Sequence, residues 1–495
     1  MNKKFARSKI ALLLCLLMLA SSMAACGDSE STETTAETDA AAVVETEAET
    51  EKPKAADTLT VTDFGGRDYR MVSTNQDNRQ VDIIAEELNG ATLNDLVYNR
   101  NTAVSELYNV VMTAEETDYS SINNVAKKDA QAGDMSYELY LTNYTANSLA
   151  SGGFLYDFYT LPHVDLTQEW WDQNEKEDLT IYGKLYMAIG DISPTELLTS
   201  ECMLFNKKLF DDNGMAYPYD AALNGEWTID MLLELADGLT TDLNGDGEIK
   251  VEDDLFSVTC WGDYAQTLFY GMGGDMSYVA DDGSVVLAID VEQCTNIYEK
   301  AYALLKGTKG NYENDSNGTP VMEAHERSFK TFAEGRAYFC GITFQKIETF
   351  LREMEDDYGV LPNPKYDVNQ ANYSTCVSGA GSMVIVPKSC TDPEYVGSLL
   401  EGMAALSYDM ITPDLIDVLA STKNVRDMES SEIVQLIIRN RNFDTARMHD
   451  ASPDTFTEQL LKKDSTDVAS FFATNEKTYQ TKVDKLNEAY SKLEG

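Results

Sequence analysis

The residues with the most definite chemistry form one run, Asp242-Leu243-Asn244-Gly245-Asp246-Gly247-Glu248-Ile249-Lys250-Val251-Glu252-Asp253. Oxygen-bearing side chains stand at positions 1, 3 and 5, glycine at 6 allows a sharp turn, position 7 offers its carbonyl, and an acid closes the loop at 12. That is the order of an EF-hand-type calcium loop. Asp253 is a shorter arm than the Glu usual at the last position, and Lys250 at position 9 cannot ligate. Clustered carboxylates repel one another without a cation. We therefore expect a structural Ca2+ held by Asp242, Asn244, Asp246, Glu248 and Asp253, with a metal-free polar turn as the alternative. Catalytic patterns are missing: the sequence holds no G-x-S-x-G, H-E-x-x-H or P-loop, and Gly379-Ala380-Gly381 lacks a third glycine. His163, His325 and His449 are isolated and read as surface or capping residues. Acids are too numerous to single out a glycosidase pair. No enzyme is expected.

Composition narrows the partners. The 495 residues include 84 Asp and Glu against 38 Lys and Arg, a net charge of −46. Such a surface repels phosphate backbones and anionic lipid heads, which excludes a nucleic-acid reader. Hydrophobic residues at 43% and aromatics at 10% suffice for a core. The length suits about three domains of ~150 residues, or two large lobes.

The first residues read as a targeting segment. Lys3, Lys4, Arg7 and Lys9 precede an apolar run from Ile10 to Ala20 that is too short to span a membrane as a mature helix. Met23-Ala24-Ala25-Cys26-Gly27 looks like a bacterial lipobox, with Met where Leu is usual. Residues 1–25 are then a lipoprotein signal peptide, with Cys26 carrying the lipid. An ordinary secretory peptide is the alternative. Residues 27–57 hold seven Glu, seven Ala and six Thr, which cannot bury enough surface to offset their ordering entropy. Residues 26–57 are read as a disordered acidic tether reaching roughly 30 Å. With +4 in the signal and −8 in the tether, residues 58–495 keep −42. Cys202, Cys260, Cys294, Cys340, Cys376 and Cys390 show no C-x-x-C spacing, and buried free thiols are expected.

These residues need elements to position them. Residues 67–73 and 109–112 read as strands, with a helix between them carrying Leu93, Leu96, Val97, Val104, Leu107 and Tyr108 on one face. Residues 137–142 form another strand, followed by a small-residue turn at 151–153. Thr228 caps a helix burying Leu232, Leu235, Ala236 and Leu239. Asp281-Asp282-Gly283 marks a hairpin, Met383 to Val386 a strand, and Tyr479, Val483, Leu486, Tyr490 and Leu493 one face of a C-terminal helix. Alternating strands and helices indicate α/β layers.

Seven segments in this order resemble one family. They are LNDLVYNRNTAVSELYNVVM (93–112), YELYLT (137–142) with SGGFLYDF (151–158), GKLYMAIGD (183–191), MLFNKKLFDDNGM (203–215), GEWTIDMLLELA (225–236), FAEGRAYFCGITF (332–344) and SGAGSMVIVPKS (378–389). Together they are similar to the extracellular solute-binding proteins of ABC importers, of the carbohydrate-binding type related to maltose-binding protein. The resemblance implies a two-lobed periplasmic-binding-protein-like α/β fold with hinge crossings between lobes, closing on a ligand. Residues 58–183 would be the first part of lobe 1, 184–374 lobe 2, 375–445 a return to lobe 1, and 446–495 a C-terminal helical segment.

The same resemblance points to ligand contacts. Trp261 and Phe344 occupy places where sugar binders present stacking rings, and Trp170 and Trp171 precede the first crossing. Core packing is the competing reading for each. Ser378 and Gly379, with Gly381, line the return crossing, while Trp227 reads as a structural ring. The expected function is a lipid-anchored substrate-binding subunit on the outer face of the bacterial cytoplasmic membrane. It would be a monomer that takes a small solute, most naturally a carbohydrate, and delivers it to an ABC permease. The alternative is an adhesin-like lipoprotein binding polysaccharide or peptide without transport.

Overall fold

The computed structural model describes residues 54–261, 264–308, 311–312, 321–379, 381–422, 425–426 and 428–493. The expected signal peptide, Cys26 and most of the tether lie outside these residues. Among the described residues no helix is long and apolar enough to cross a membrane.

Lobe 1 is built on a four-stranded sheet. Its strands are β1 (Arg67–Thr74), β2 (Val110–Thr117), β3 (Leu139–Thr142) and β12 (Met383–Ile385), in the order β12-β3-β1-β2. β1 runs parallel to β2 and β3, while β12 is antiparallel to β3 with Met383 opposite Thr142. All four residues of β3 are buried, as both faces of a central strand must be when helices cover them. The helix Thr92–Tyr108 buries Val97, Val104 and Tyr108 and ends on Asn109, whose φ of 49° is the left-handed cap that asparagine tolerates. It packs on the helix Pro393–Met410. A Cβ at Gly402 would stand 2.4 Å from the Tyr108 ring, so only glycine allows that approach.

Lobe 2 is built on β4 (Glu201–Asn206), β5 (Phe256–Cys260), β8 (Asn311–Tyr312), β9 (Ala337–Thr343) and β10 (Tyr358–Leu361), in the order β10-β4-β9-β5-β8. β5 is parallel to β8 and β9, and β4 is antiparallel to β9 and β10. The helix Ile229–Ala236 starts where expected: Thr228 Oγ1 accepts the Met231 N–H at 3.3 Å. Trp227 is fully buried and donates Nε1–H to the Pro362 carbonyl at 3.0 Å, the structural role read from the sequence. The six cysteines among the described residues are free thiols, all buried except the half-buried Cys390.

Two separate apolar cores define the lobes, and they move three expected boundaries. Leu185, Met187, Ile189 and Ile192 belong to the first core, so the first crossing lies near 193–200 rather than at 183/184. Ile433, Val434 and Ile437 of the helix Met428–Arg439 pack into the second core, so the stretch 375–445 does not return wholly to lobe 1. The tether also ends earlier than 57. The turn Ala55–Thr58 docks on lobe 1, where the Ala55 and Ala56 N–H groups donate to the Asp409 carboxylate at 3.0 and 3.1 Å.

A further tie joins the lobes. The 24-residue helix Val468–Ser491 puts Val468, Phe471 and Phe472 in the second core and Val483, Leu486 and Tyr490 in the first. Asn487 clasps Val285 of the hairpin β6 (Ser277–Val279) and β7 (Val285–Leu287), accepting its N–H and donating to its carbonyl at 2.8 Å each. His449 is buried there, between the Thr445 carbonyl at 2.9 Å and the Tyr490 hydroxyl at 3.0 Å. Of the two expected roles, surface or capping, it takes the second, closing the helix Thr445–Met448, and burial depresses its pKa to about 4. His163, with φ of 68°, sits 2.6 Å from Glu394 at the surface.

Candidate functional site

The carboxyl ends of the two sheets meet at the crossings. In lobe 1, β1 and β3 end at Thr74 and Thr142, beside the start of β12. In lobe 2, β5 and β9 end at Cys260 and Thr343, with Glu201 at the start of antiparallel β4 opposite Thr343. The first crossing enters β4 at Glu201. The return crossing leaves the short strand β11 (Thr375–Cys376) and enters β12 at Met383. Open α/β sheets bind ligands outside the carboxyl ends of their strands, where connections change direction.

The crossings are tied to each other and to lobe 1. Ser378 N–H donates to the Thr199 carbonyl at 3.1 Å, and Phe344 N–H to the Ser200 carbonyl at 3.2 Å. Asp82, fully buried, gathers both crossings. It accepts from Ser193 Oγ at 2.8 Å, the Thr195 N–H at 2.7 Å, Thr195 Oγ1 at 2.5 Å and Ser382 Oγ at 3.0 Å. Burial raises its pKa and these donors pull it back. Arg100, also buried, donates to the Asp82 carbonyl at 2.5 Å, the Ile192 carbonyl at 3.3 Å and Ser407 Oγ at 2.7 Å. Desolvation lowers its pKa to about 10, which leaves it charged.

Beside these crossings stands a polar set that the sequence did not reveal. Arg447 Nη1 donates to the Val377 carbonyl at 2.7 Å, and its Nε lies 3.3 Å from Asp454 Oδ2. Gln266 Nε2 donates to the same Asp454 oxygen at 2.6 Å, and the Tyr270 hydroxyl reaches it at 3.4 Å. Burial raises Asp454 to about 6, opposed by Arg447. Tyr144, half-buried, lies against Gly379, where an added Cβ would stand 2.8 Å from its ring. Tyr144 shares the electrostatic field of Arg447 and Asp454. Arg447, Gln266 and Tyr144 are partly exposed, and buried Asp454 orients the first two; a cation and an amide beside an aromatic face offer donors for hydroxyl groups and an apolar surface for a sugar ring. Arg447 and Asp454 are neighbours in sequence but Gln266 lies 188 positions from Asp454, and the three carry no local motif.

The residues expected to touch ligand divide. Ser378 and Gly379 lie in the return crossing and are partly accessible. Trp261 is half-buried at the end of β5, with its ring packed on the second core. Phe344 is buried in that core at the end of β9. Trp170 and Trp171 lie in the first core, only 4% and 1% exposed. Their indole N–H groups grip the two oxygens of Glu401 at 3.0 and 2.9 Å. They present no free face to a cleft; Glu401, on a different helix, draws them inward. Two surface depressions, of about 480 and 130 Å3, are lined by lobe 1 residues alone, such as Arg70 with Tyr137 and Tyr108 with Trp170. Neither is the interlobe site.

The 242–253 loop folds around its own groups. Asp242 accepts the N–H groups of Gly245 at 2.6 Å and Gly247 at 2.8 Å, and Gly247 takes φ of 85°. Asn244 Nδ2 donates to Asp253 at 3.1 Å. The Lys250 ammonium stands 2.7 Å from both Asp246 and Glu248 and supplies the opposing charge. Among the described residues no group of three or more His, Cys, Asp or Glu is placed to hold a metal ion.

Fold and crossings together define a two-lobed α/β architecture of the periplasmic-binding-protein type. Solved structures share it. UspC of M. tuberculosis superposes with a TM-score of 0.54 at 12% identity, over 85% of this chain and 100% of that one. A cyclic alpha-maltosyl-1,6-maltose binding protein from Arthrobacter globiformis gives 0.53 at 14%, over 86% and 98%. The maltose-binding protein MalE from Listeria monocytogenes, solved in complex with maltose, gives 0.52 at 14%, over 87% and 99%. At these identities the likeness establishes the fold. No family model matches the sequence, and no curated protein does.

Proposed function

We propose that this protein is the extracellular solute-binding subunit of an ABC importer, that it captures a sugar or oligosaccharide between its lobes, and that it is held at the membrane by a lipid on Cys26. The observation that carries the reading is the convergence of both sheets' carboxyl ends on the crossings, beside Tyr144, Arg447, Asp454 and Gln266. The fold likeness to sugar-binding proteins supports it, as does the sequence pattern of signal, lipobox and tether. The protein binds and releases its solute without chemistry, and it acts as a monomer that hands the solute to a permease. The sequence motif at 242–253 is proposed to take a structural calcium ion only on regrouping its acids, the ion replacing the Lys250 ammonium.

Calorimetry and small-angle scattering with a panel of mono- and oligosaccharides test the reading. A sugar that binds and contracts the protein is expected. Binding only to insoluble polysaccharide or to peptides, with unchanged dimensions, would replace it with the adhesin-like reading. The helix Val468–Ser491, seated in both cores, is the feature that favours this second reading, because it resists hinge motion.

A further inference from the structure

A second group of charges at the hinge lies apart from the proposed contacts. Arg441, in the short strand Arg441–Asn442, pairs with β11 of the return crossing, Thr375 opposite Arg441. Its guanidinium bridges Glu196 of the first crossing and Asp172 of lobe 1. Asp172 also caps the helix Gln173–Leu179, accepting the N–H groups of Asn174 and Glu175 at 2.8 Å each. One side chain thus links both crossings to lobe 1.

The charges around it do not balance. Asp172, Glu196 and Asp191 stand in the field of one guanidinium, and Glu175 lies in the field of Asp172 and Glu196 without reaching Arg441, so four carboxyl groups crowd a site with one cation. Glu175 and Glu196 are each 1% exposed, which shuts out water and counter-ions. Oε1 of both accepts no hydrogen bond. The remaining neighbours relieve little. Asp178, from the same helix as Glu175, adds a further acid, and Asp82 lies on the far side of Glu196 with its own hydroxyl donors. Arg100 faces Asp82, the Thr412 hydroxyl and Arg441 oppose the upward pKa shift at Asp191, and the Ile189 N–H opposes it at Glu175. Crowded carboxylates in a sealed site cannot all ionise, so the shortfall of positive charge is met by protons.

We propose that the hinge contains a proton-binding hub, formed by Asp191 and Glu196 around Arg441 with Glu175 beside Glu196, whose occupancy sets how tightly the crossings are drawn to lobe 1. Burial raises Asp191 and Glu196 to about 7, with Arg441 opposing the shift at both, and holds Glu175 well above the ordinary carboxylate range. The hub therefore exchanges protons near neutrality. Its carboxyls come from lobe 1 and from the first crossing, so hinge rotation changes their spacing and hydration. Acid favours the sealed arrangement; loss of protons loosens it. A solute that selects the sealed arrangement then takes up protons as it binds, a consequence that rests on the proposed function, whereas the hub does not.

The test uses the solute-free chain. Scattering between about pH 5.5 and pH 8 is expected to show expansion of the wild type with rising pH, lost in the double variant Glu175→Gln/Glu196→Gln. Infrared spectra at neutral pH are expected to show a protonated-carboxyl band that loses intensity in Glu175→Gln. That single variant leaves both ion pairs of Arg441 in place and so guards against loss of the fold. Constant wild-type dimensions, an unchanged response in the double variant, or an unchanged band in Glu175→Gln would each overturn the proposal. A negative sugar panel with a positive pH response would instead count against the solute reading alone.

Discussion

Glu401 yields a quantitative test of how lobe 1 is held together. It is 6% exposed and lies beneath the indoles of Trp170 and Trp171. Burial lifts its pKa from 4.5 to about 7, although the two indole donors and the Asp165 N–H oppose the shift. A carboxyl whose folded pKa exceeds its unfolded value stabilises the protein fully below the unfolded value, and that stability is lost as pH rises through the folded one. The full span is about 3 kcal/mol, of which roughly 2.5 kcal/mol falls between about pH 5 and pH 8. Carboxyls lowered by hydrogen bonds, such as Asp165 and Asp392, stay ionised over that interval, while His449, held neutral by burial, opposes the fall by roughly 2 kcal/mol and is outweighed by Glu401 together with Asp191 and Glu196. Denaturant unfolding across the interval is therefore expected to show stability falling with pH. Glu401→Gln should remove roughly 2.5 kcal/mol of that fall and leave the part due to the hinge acids. Wild-type stability that rises from pH 5 to pH 8, or a variant with the full wild-type slope, would refute the reasoning.

Three further outcomes are expected. Replacing Asp454 with Asn or Arg447 with Met removes a charged hydrogen-bonding group from the proposed contact set, and such groups contribute about 1.5–3 kcal/mol each; calorimetry should show sugar affinity falling roughly ten- to a hundredfold, and unchanged affinity would remove the residue from the site. Gly379→Ala drives a methyl into the Tyr144 ring and should cost about 1–3 kcal/mol in chemical unfolding; in a Tyr144→Ala background the same change should cost far less, and an equal cost in both would show that the ring is not what the methyl meets. Calcium must displace the Lys250 ammonium from Asp246 and Glu248, so Lys250→Met should bind it more tightly than the wild type; a titration without heat in either protein would end the calcium assignment.

Local pattern determined most of the elements. The first strand and helix, the Thr228 cap, the Asp282-Gly283 turn and the Val483-Leu486-Tyr490 face all lie where the sequence put them, and the strand expected at 109–112 runs on to Thr117, because each depends on neighbours within a few positions. The order of those elements also announced the two-lobed fold. Tertiary structure decided the rest. Trp170 and Trp171 stood near a crossing in the chain, yet Glu401, about 230 positions away, turns them into a core. The contact set at Arg447, Asp454 and Gln266 exists only because the fold brings the helix Tyr264–Gly271 against the segment 447–454, 188 positions away at Asp454. The acids about Arg441 looked like any others in a chain of net charge −46. Desolvation depends on what folds over a group, and a linear sequence does not display it.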